Sequence, residues 1–580
     1  MDKKAIAGIL EEIATFMELK GENPFKSNAY RNAARSLENL ERPLEEFRSP
    51  GDFKAVRGIG QSLAEKILTL HQTGKLPFYY RMKAQIPSGL LEMLEIPGFG
   101  PKKGRVVYEK LGVTSVGELE YACRENRLLD LPGFGPKTQS NILKGIEYLR
   151  KAKGRFHLHE AGIAASELIS HLRHIKEVEA IETAGSLRRY KETVKDIDLL
   201  VTSNDAEAVM TAFTTHPMVE DVIARGPTKS SVRLDSGINV DLRVVGREEF
   251  PFALMYFTGS KEHNVTLRGR AQNLGFKLNE YGLFRKGSQK SEKLKSEKEI
   301  FERLGLAYIP PELREDRGEF KASEKGAIPE LVVPGDIKGI FHAHTTYSDG
   351  LPTIREYVEE CRRRGWEYIG ISDHSKSAFY AHGLSIEKIE KQIAEIDALN
   401  GELKDFRVFK GIESDILPDG SLDYPDEILE RFDFIIASIH SGFRMTREEM
   451  TRRMIRAIEN PYTTMLGHPT GRLLLAREGY ELDMEAVISA AAEHGVIIEL
   501  NANPFRLDID WRYLKRALDA GVMTSINPDA HRLSNLDYTD LGVGLARKGW
   551  CEADHVLNTR SAENIARIFE NRQFRDSIRK

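Results

Sequence analysis

Cysteine is scarce in this chain of 580 residues, and it has no long uninterrupted apolar run. Three cysteines, Cys123, Cys361 and Cys551, lie far apart and form no paired motif, which argues against a disulfide framework or a thiolate metal site. No apolar run reaches the length of a membrane span. The first residues predict an amphipathic helix, in which Glu11 and Glu12 exclude a signal-peptide core. We therefore expect a reduced cytoplasmic protein that makes no contact with membranes.

The composition is that of a globular protein with several domains. Hydrophobic residues make up 41% of the chain and charged residues 30%, and its length exceeds what one core supports. Residues 1–315 carry 49 Lys and Arg against 43 Asp and Glu, whereas residues 316–580 carry 35 against 45. This modest asymmetry favours nucleic-acid binding in the first part and metal binding in the second.

The second part contains seven short apolar runs, each followed by a stretch of helical periodicity. The runs are IKGIFHAH, EYIGISDH, RVFKGIESDI, FDFIIASIH, TTMLGHP, VIIELNA and MTSINPDAH. Six of them end in a residue that can bind a metal, and in parallel barrels the carboxyl ends of the strands form one functional face. The candidate ligands are His342, His344, Asp349, His374, Glu413, His440, His468, Asp529 and His531. Imidazoles mixed with carboxylates suit Zn²⁺, Mn²⁺ or Fe²⁺, and nine ligands are too many for one ion.

The order of these motifs resembles the polymerase-and-histidinol-phosphatase (PHP) domain, from about Asp336 to the C-terminus. HAHTTYSDG is followed by SDH, GIES, SIH, GHP and PDAH. The resemblance implies a distorted seven-stranded (β/α)7 barrel that holds up to three ions, Mn²⁺ or Zn²⁺ or both, and hydrolyses phosphoesters. A suitable residue stands at all nine ligand positions.

A short glycine motif occurs three times in the first part, between stretches of helical sequence. The motifs are Arg57-Gly58-Ile59-Gly60, Pro97-Gly98-Phe99-Gly100 and Pro132-Gly133-Phe134-Gly135. Two glycines around one apolar residue allow a tight turn, and the helix that follows offers free N–H groups to a phosphate. One such turn often has only a steric purpose. Three in succession resemble helix-hairpin-helix elements and favour gripping of the DNA backbone.

The next segment contains a second candidate catalytic group, built from carboxylates. Gly185 and Ser186 form a turn 11 residues before Asp196, and Asp196 and Asp198 project to one face of a predicted strand. Asp241 lies on another predicted strand. Three carboxylates on neighbouring strands can hold two Mg²⁺ ions for phosphoryl transfer, while Arg189 can bind phosphate in a forked manner. Two acidic residues on one strand are usually just solvated surface, so the prediction depends on their combination with the Gly-Ser turn and the third aspartate.

Together, these motifs resemble the family X DNA polymerases, which are typified by DNA polymerase beta. The resemblance implies that Asp196 and Asp198 hold both Mg²⁺ or Mn²⁺ ions and that Asp241 deprotonates or orients the primer 3′-hydroxyl. It also implies roles for further residues. Those assigned to the nucleotide are Arg155, Gly185, Ser186, Arg189, Tyr256, Phe257, Gly259 and Asn264, and those assigned to DNA are Arg268 and the glycines Gly58, Gly60, Gly98, Gly100, Gly133 and Gly135.

The first 80 residues resemble the small lyase domain of that family. NPFKSNAYRNAA and GIGQSLAEKI place Lys66 at the Schiff-base lysine, although a helix-surface lysine that touches DNA phosphate is an equal alternative. The chain departs from the family at Phe25, where a histidine is common, and at Lys261, where polymerase beta has an acidic residue.

The whole chain resembles the bacterial and archaeal family X polymerases that carry a C-terminal PHP domain. We expect α+β and α/β domains: a helical lyase-like domain over 1–80, a helical DNA-binding subdomain over 81–150, a nucleotidyltransferase palm over 151–250, fingers over 251–315, a linker over 316–335 and the PHP domain over 336–580. The segment 316–335 is polar and turn-rich, and a loop packed on both neighbours is the alternative to a linker.

The resemblance implies a monomeric DNA-directed DNA polymerase that fills short gaps in base-excision repair with deoxynucleoside triphosphates. Its PHP domain would be a 3′→5′ exonuclease, a 3′-phosphatase or an abasic-site (AP) endonuclease. Two alternatives stay open. One is a nucleotidyltransferase with another substrate, and the other is a DNA-binding scaffold that carries a small-molecule, histidinol-phosphatase-like phosphatase.

Overall fold

The computed structural model describes residues 1–38, 40, 43–96, 98–129, 131–150 and 154–570. Pro97 of the second glycine motif and the last ten residues of the predicted PHP segment lie outside these residues. The chain divides into two compact units, Met1–Leu149 and Arg150–Lys580. None of the described helices combines the length and apolar character needed to cross a bilayer.

The first unit is helical. Its helices are α1 (Lys3–Leu19), α2 (Pro24–Glu38), α3 (Gln61–Thr73), α4 (Pro77–Lys83), α5 (Ser88–Met93), α6 (Pro101–Leu111), α7 (Val116–Arg124) and α8 (Pro136–Arg150). Helix α1 forms because Ile6, Leu10 and Ile13 recur at helical spacing and are all buried. The Asp2 side chain caps this helix by accepting a hydrogen bond of 2.8 Å from the Ala5 N–H.

The second unit begins with a five-stranded sheet covered by helices. Its elements are β1 (Phe156–His157), α9 (Leu158–Arg173), β2 (Val178–Thr183), α10 (Gly185–Arg188), β3 (Thr193–Val194), β4 (Asp196–Ser203), α11 (Ala206–Thr214), β5 (Val219–Arg225), β6 (Lys229–Leu234) and β7 (Asn239–Val245). The strand order is β2-β4-β7-β6-β5, and the central pair β4 and β7 is parallel. On β4, Ile197, Leu199 and Val201 enter the core with α9 and α11. Asp196 and Asp198 therefore project from the opposite face.

A smaller helical and hairpin region follows the sheet. Its elements are α12 (Phe250–Thr258), α13 (Lys261–Asn273), β8 (Phe276–Asn279), β9 (Gly282–Arg285), α14 (Glu297–Arg303) and α15 (Glu319–Glu324). Phe252, Leu267, Leu278 and Ile300 form its core. The face of β4 that carries the carboxylates also carries Leu200, which packs on α12.

Glu297 connects this region to the five-stranded sheet through two guanidinium groups, of which that of Arg314 is fully buried. Its carboxylate lies 2.7 Å from Arg188 and 2.6 Å from Arg314. Burial alone would raise the pKa of Glu297, but Arg314 and Arg188 outweigh it and lower the pKa to about 2. Because the folded pKa lies below the ordinary 4.5, this stabilisation is complete above about pH 4.5 and is lost as the pH falls towards 2.

Glu297→Gln is expected to lower the free energy of unfolding of this unit by about 3 kcal/mol at pH 7, because it leaves buried guanidinium charge uncompensated. The difference from wild type should shrink below pH 4.5. Urea unfolding at pH 7 and at lower pH measures both effects. Glu302→Gln, which changes an exposed carboxylate on the same helix, is the control, and equal effects of the two variants would contradict the assignment.

Segment 316–335, which contains α15, is packed rather than extended. The buried Glu319 carboxylate lies 2.9 Å from Nδ1 of His263, and Phe320 packs against the core around Phe252. On the other side, Leu331 pairs with Glu552, and the Val332 N–H donates to the Cys551 carbonyl at 3.0 Å. The segment therefore contacts both neighbouring regions.

The C-terminal region is a seven-stranded parallel barrel, which confirms the predicted fold class. Its elements are β10 (Gly339–Ile340), α16 (Ile354–Arg363), β11 (Tyr368–Ile371), α17 (Ile386–Glu402), β12 (Arg407–Asp415), α18 (Asp426–Leu429), β13 (Phe434–Ser438), α19 (Arg447–Glu459), β14 (Met465–Leu466), α20 (Met484–His494), β15 (Ile497–Asn501), α21 (Trp511–Asp519), β16 (Thr524–Asn527), α22 (Tyr538–Lys548) and α23 (Ala562–Glu570). The strands follow chain order, and a parallel bridge between Ala343 and Ala530 nearly closes the barrel.

The two ends of the barrel differ in chemistry. Tyr368, Phe434 and Met465, each the first residue of its strand, pack at the amino-terminal end with Phe569 of α23. Gly411 is required there because a Cβ would lie 2.1 Å from the Phe434 ring. The opposite end carries the polar residues that follow the strands. Because apolar side chains fill the amino-terminal end of the barrel, a functional site can form only at the carboxyl ends of the strands.

Candidate functional site

The nine predicted metal ligands of the barrel lie together at the carboxyl ends of the strands, and all of them except the half-buried His440 are buried. Three overlapping groups have ligand atoms within 4.8 Å of one another. They are His344, Asp349, His374 and His531; His342, His344 and Asp529; and His374, Glu413 and His440. His468 joins them through its Nε2, which lies 2.9 Å from Oε1 of Glu413.

Glu413 lies at the centre of the cluster. Its Oε1 is 3.4 Å from Nε2 of His342 and 3.3 Å from Nε2 of His440, while its Oε2 is 2.8 Å from Nδ1 of His374. Burial alone would raise the pKa of Glu413, but the surrounding imidazoles hold it well below the ordinary value. An ionised carboxylate is thus available at the point where the groups overlap.

The histidines divide according to the charges beside them. Burial, with His531 and His374 alongside, lowers the pKa of His344 to about 3, so this imidazole is neutral. At His440 burial alone would lower the pKa, but Glu413 and Asp415 raise it to about 9. Positive charge is therefore favoured among the carboxylates, where a metal ion could supply it.

Among the described residues, buried polar side-chain atoms without a hydrogen bond are concentrated in this cluster. They include Nε2 of His342, both ring nitrogens of His344, Nε2 of His374 and of His440, Nδ1 of His468 and Oδ2 of Asp349. Buried polar atoms are almost always paired, so a converging set of unpaired nitrogens and oxygens indicates a missing partner. Nitrogen and carboxylate donors at this density fit Zn²⁺ or Mn²⁺.

Two further carboxylates, which the sequence analysis missed, orient the histidines from behind. Glu499 lies 2.7 Å from Nδ1 of His342, and Asp415 lies 2.5 Å from Nδ1 of His440. Such contacts fix the tautomer and turn the other ring nitrogen toward a metal. The sequence did contain a signal for both carboxylates. Asp415 shares one strand face with the predicted ligand Glu413, and Glu499 lies in the one apolar run that has no predicted ligand.

Backbone strain coincides with the cluster. His468 has φ of 26° and Asp529 has φ of 53°, values in the left-handed region that favours glycine. Residues other than glycine persist there only where the surroundings hold them, and such positions concentrate at functional sites.

A second group of carboxylates lies on the five-stranded sheet. Asp198 on β4 is paired in register with Asp241 on β7, and Asp196 shares the face of Asp198. Burial, with Asp196 and Asp241 nearby, raises the pKa of Asp198 to about 6. Crowded carboxylates of this kind favour a cation between them.

Asp241 already contacts a cation from the neighbouring strand. Its carboxylate lies 2.6 Å from Nζ of Lys229 and accepts a hydrogen bond of 2.5 Å from Ser231. Burial alone would raise the pKa of Asp241, but these two contacts lower it. The sequence analysis did not identify Lys229 or Ser231.

The predicted Gly185–Ser186 turn lies directly against Asp198. Gly185 has φ of +61°, and a Cβ on it would lie 2.2 Å from Oδ2 of Asp198, so only glycine fits. Arg189, just beyond the turn, donates to the Thr258 carbonyl and lies 3.1 Å from Glu315. A Cβ on Gly259 would lie 3.1 Å from the same guanidinium. The structure thus brings Gly185, Arg189 and Gly259 together.

Of the other predicted nucleotide residues, Tyr256 and Phe257 lie on α12, Asn264 lies on α13, and Arg155 directly precedes β1. Asn264 donates to the Tyr256 carbonyl at 2.7 Å, and the Tyr256 and Phe257 rings meet edge to face at 5.3 Å. Arg268 donates to the Asn264 carbonyl at 3.2 Å. Arg155 instead donates to the Thr193 carbonyl at 2.9 Å, beside β3.

In the first unit, each glycine motif forms a turn ahead of a helix. Gly58, Gly98 and Gly133 have φ between 78° and 88°, and α3, α6 and α8 begin directly after Gly60, Gly100 and Gly135. The first N–H groups of a helix have no partner within it, so each turn offers donors to a phosphate.

Lys66 is half-buried on α3. Its Nζ donates to the Ser62 hydroxyl at 2.7 Å and lies about 6 Å from the ring centroids of Tyr30 and Phe78. The hydrogen bond to Ser62 lies at the surface, so a ligand can reach the ammonium group.

Family models match four parts of the chain. A helix-hairpin-helix domain matches residues 1–76, a SAM-like helix-hairpin-helix tandem residues 90–147, a DNA polymerase beta thumb residues 253–315 and a PHP domain residues 341–503. The chain is 40% identical over 97% of its length to the DNA polymerase/3′-5′ exonuclease PolX of Bacillus subtilis, of which 99% is covered. It is 33% identical over 39% of its length to a probable phosphatase of Caldicellulosiruptor saccharolyticus, of which 92% is covered.

Proposed function

Because the chain belongs to the family X DNA polymerases that carry a C-terminal PHP domain, we propose that it fills short gaps in DNA and trims DNA ends at a second site. The observation that carries the proposal is that two groups of candidate metal ligands are built from different residues on different sheets. Asp196, Asp198 and Asp241 lie on the palm sheet, and the histidines lie in the barrel.

For synthesis, Asp196 and Asp198 would hold two Mg²⁺ or Mn²⁺ ions, which supply charge for activating the primer hydroxyl and neutralising the triphosphate. Asp241 orients the primer 3′-hydroxyl or accepts its proton, and Lys229 must then give up its contact with Asp241. The Gly185–Ser186 turn and Arg189 bind triphosphate oxygens. Arg155, Tyr256, Phe257, Gly259 and Asn264 complete the nucleotide site.

The glycine turns and Arg268 are proposed to bind the DNA. The turns supply backbone N–H groups, which contact phosphates without reading the base sequence. A gapped or primed duplex is the substrate that connects this binding to nucleotidyl transfer.

For hydrolysis, the nine barrel ligands would hold up to three Mn²⁺ or Zn²⁺ ions, which supply a hydroxide and polarise a phosphate. Glu499 and Asp415 keep His342 and His440 in the ligating tautomer. The proposed reactions are 3′→5′ exonuclease, 3′-phosphatase and AP endonuclease cleavage, which clear ends that block synthesis. We propose that these activities serve base-excision repair.

The remaining proposals concern the setting of the molecule. We propose that it acts in the cytoplasm as a monomer, and its buried, unlinked Cys123, Cys361 and Cys551 support a reducing compartment. We also propose the domain limits given in the sequence analysis, with residues 316–335 as a packed connection instead of a free linker.

The test uses the full chain on labelled DNA with a one-nucleotide gap and Mn²⁺. With nucleotides the primer should gain one residue, and without them it should shorten from its 3′ end. The chain is also similar to probable phosphatases, and the second candidate function, a DNA-binding scaffold with a small-molecule phosphatase, predicts a different result. Hydrolysis of p-nitrophenyl phosphate with neither extension nor trimming of DNA would favour the scaffold with a small-molecule phosphatase.

Lys66→Ala is expected to reduce borohydride trapping on a 5′-deoxyribose phosphate end by more than about tenfold, because the amine that forms the Schiff base is removed. Gap filling on an intact 5′ phosphate should continue. Lys75→Ala, which removes a nearby exposed lysine, is the control. Wild-type trapping by the Lys66 variant would leave this lysine only a phosphate-binding role.

A further inference from the structure

Helix α22 of the barrel ends at Lys548, whose ammonium group contacts residues that precede the barrel in the sequence. The side chain of Lys548 is fully buried. Its Nζ donates to the Arg189 carbonyl at 2.8 Å, to the Glu312 carbonyl at 3.2 Å and to Glu315 at 2.8 Å. A lysine ammonium has three donors, and all three are directed at residues N-terminal to the barrel.

Glu315 connects this lysine to the proposed nucleotide site. Its carboxylate lies 2.8 Å from Lys548, 3.1 Å from Nε of Arg189 and 3.1 Å from Lys191. Burial alone would raise the pKa of Glu315, but Lys548 and Arg189 lower it to about 2. The buried carboxylate is thus ionised and shared between the arginine and the barrel lysine.

A second contact on the same helix fixes the same turn. Gly544, one helical turn before Lys548, packs so closely on Tyr190 that a Cβ would lie 1.9 Å from the tyrosine ring. Tyr190 follows Arg189 directly and has φ of 52°, a strained value that tight packing maintains. Helix α22 therefore holds both the backbone and the side-chain partner of Arg189.

We propose that Lys548 is a positioning residue for nucleotidyl transfer, through which the barrel holds Arg189 and the adjoining Gly185–Ser186 turn in place for the triphosphate. This inference rests on the proposed nucleotide-binding role of Arg189. The PHP domain then has a purpose beyond its own chemistry, because it completes the polymerase site.

The consequence is a specific kinetic signature. Without Lys548, Glu315 keeps only Arg189 and Lys191 as cationic partners, and the Arg189 carbonyl loses this donor. The Arg189 side chain and the adjoining turn are then less ordered before the triphosphate binds. Nucleotide affinity should fall, whereas Asp196, Asp198 and Asp241 stay on their strands.

Lys548→Met in the full chain tests this on a one-nucleotide gap. The KM for the nucleotide should rise about ten- to a hundredfold, the range expected for losing charge-assisted hydrogen bonds, while kcat changes by less than about threefold. Trimming of single-stranded 3′ ends without nucleotides should equal wild type. Lys515→Met, which removes a barrel lysine paired with Asp519 on α21, should leave all three quantities unchanged.

Glu315→Gln provides an independent variant if Lys548→Met does not fold. It should raise the same KM, and the double variant should be no worse than the more affected single variant, because both changes break one network. Additive effects, or an unchanged KM in a folded Lys548→Met protein, would overturn the inference. Arg189→Ala distinguishes failure of the proposed nucleotide-binding role from failure of the positioning role. If Arg189→Ala leaves KM unchanged, Arg189 does not bind the nucleotide. If Arg189→Ala raises KM but Lys548→Met does not, only the positioning role of Lys548 is rejected.

Discussion

Replacing His344 and His468 together with alanine is expected to reduce hydrolysis of DNA 3′ ends by at least about a hundredfold while gap filling continues. The two side chains come from different strand ends. His344 has two unpaired ring nitrogens, and Nε2 of His468 contacts the central Glu413 carboxylate. Mutation of residues that only support metal ligands already costs about 10- to 100-fold, so loss of two ligands costs at least as much. The measurement is trimming of a labelled primer with Mn²⁺ in the absence of nucleotides.

Net primer extension by this variant should equal or exceed that of wild type, because the opposing reaction has stopped. His494→Ala, which removes a half-buried histidine at the end of α20, is the matched control and should trim normally. Persistent trimming by a folded His344/His468 variant would remove the barrel from the hydrolytic reaction. A parallel loss of extension would mean that one set of metals serves both reactions.

Asp198→Ala is expected to reduce nucleotide addition by about a thousandfold or more. Metal-bound charge stabilisation is worth several kcal/mol, and about 1.4 kcal/mol corresponds to a factor of ten in rate. Asp198 faces both other palm carboxylates, so its loss opens the centre of the group. The measurement is single-turnover extension on a one-nucleotide gap.

Binding of the gapped DNA and trimming of its 3′ end should survive this substitution, since the barrel ligands are untouched. Asp221→Asn changes an exposed carboxylate on the edge strand β5 of the same sheet and should extend normally. Near wild-type extension by the Asp198 variant would sink the assignment of the palm carboxylates.

The barrel could be predicted from the sequence because its signals are local. Each of the seven apolar runs became one of the strands β10–β16, and strand direction alone brings their carboxyl ends together. The same holds for β4, where the alternation of Ile197 and Leu199 with the aspartates places the carboxylates on one face.

The contacts that were missed depend on pairing across the fold. Lys229 and Ser231 reach Asp241 only because β6 and β7 pair in one particular register. Lys548 reaches Arg189 across 359 positions of sequence, and no periodicity connects the two. Such partners follow from how the elements pack together, which a single sequence does not encode locally.

The packing of segment 316–335 has the same origin. A polar, turn-rich sequence is compatible with a free linker and with a packed loop. The difference is made by partners such as His263 and Cys551, which lie far away in sequence.

Anomalous scattering from a crystal of the full chain with Mn²⁺, gapped DNA and a non-hydrolysable nucleotide tests the two-site proposal most directly. Two separate groups of manganese peaks are expected. One should lie among Asp196, Asp198 and Asp241, and the other among the histidines and carboxylates around Glu413. Manganese confined to the barrel while the nucleotide is bound, or confined to the palm, would contradict two independent metal centres.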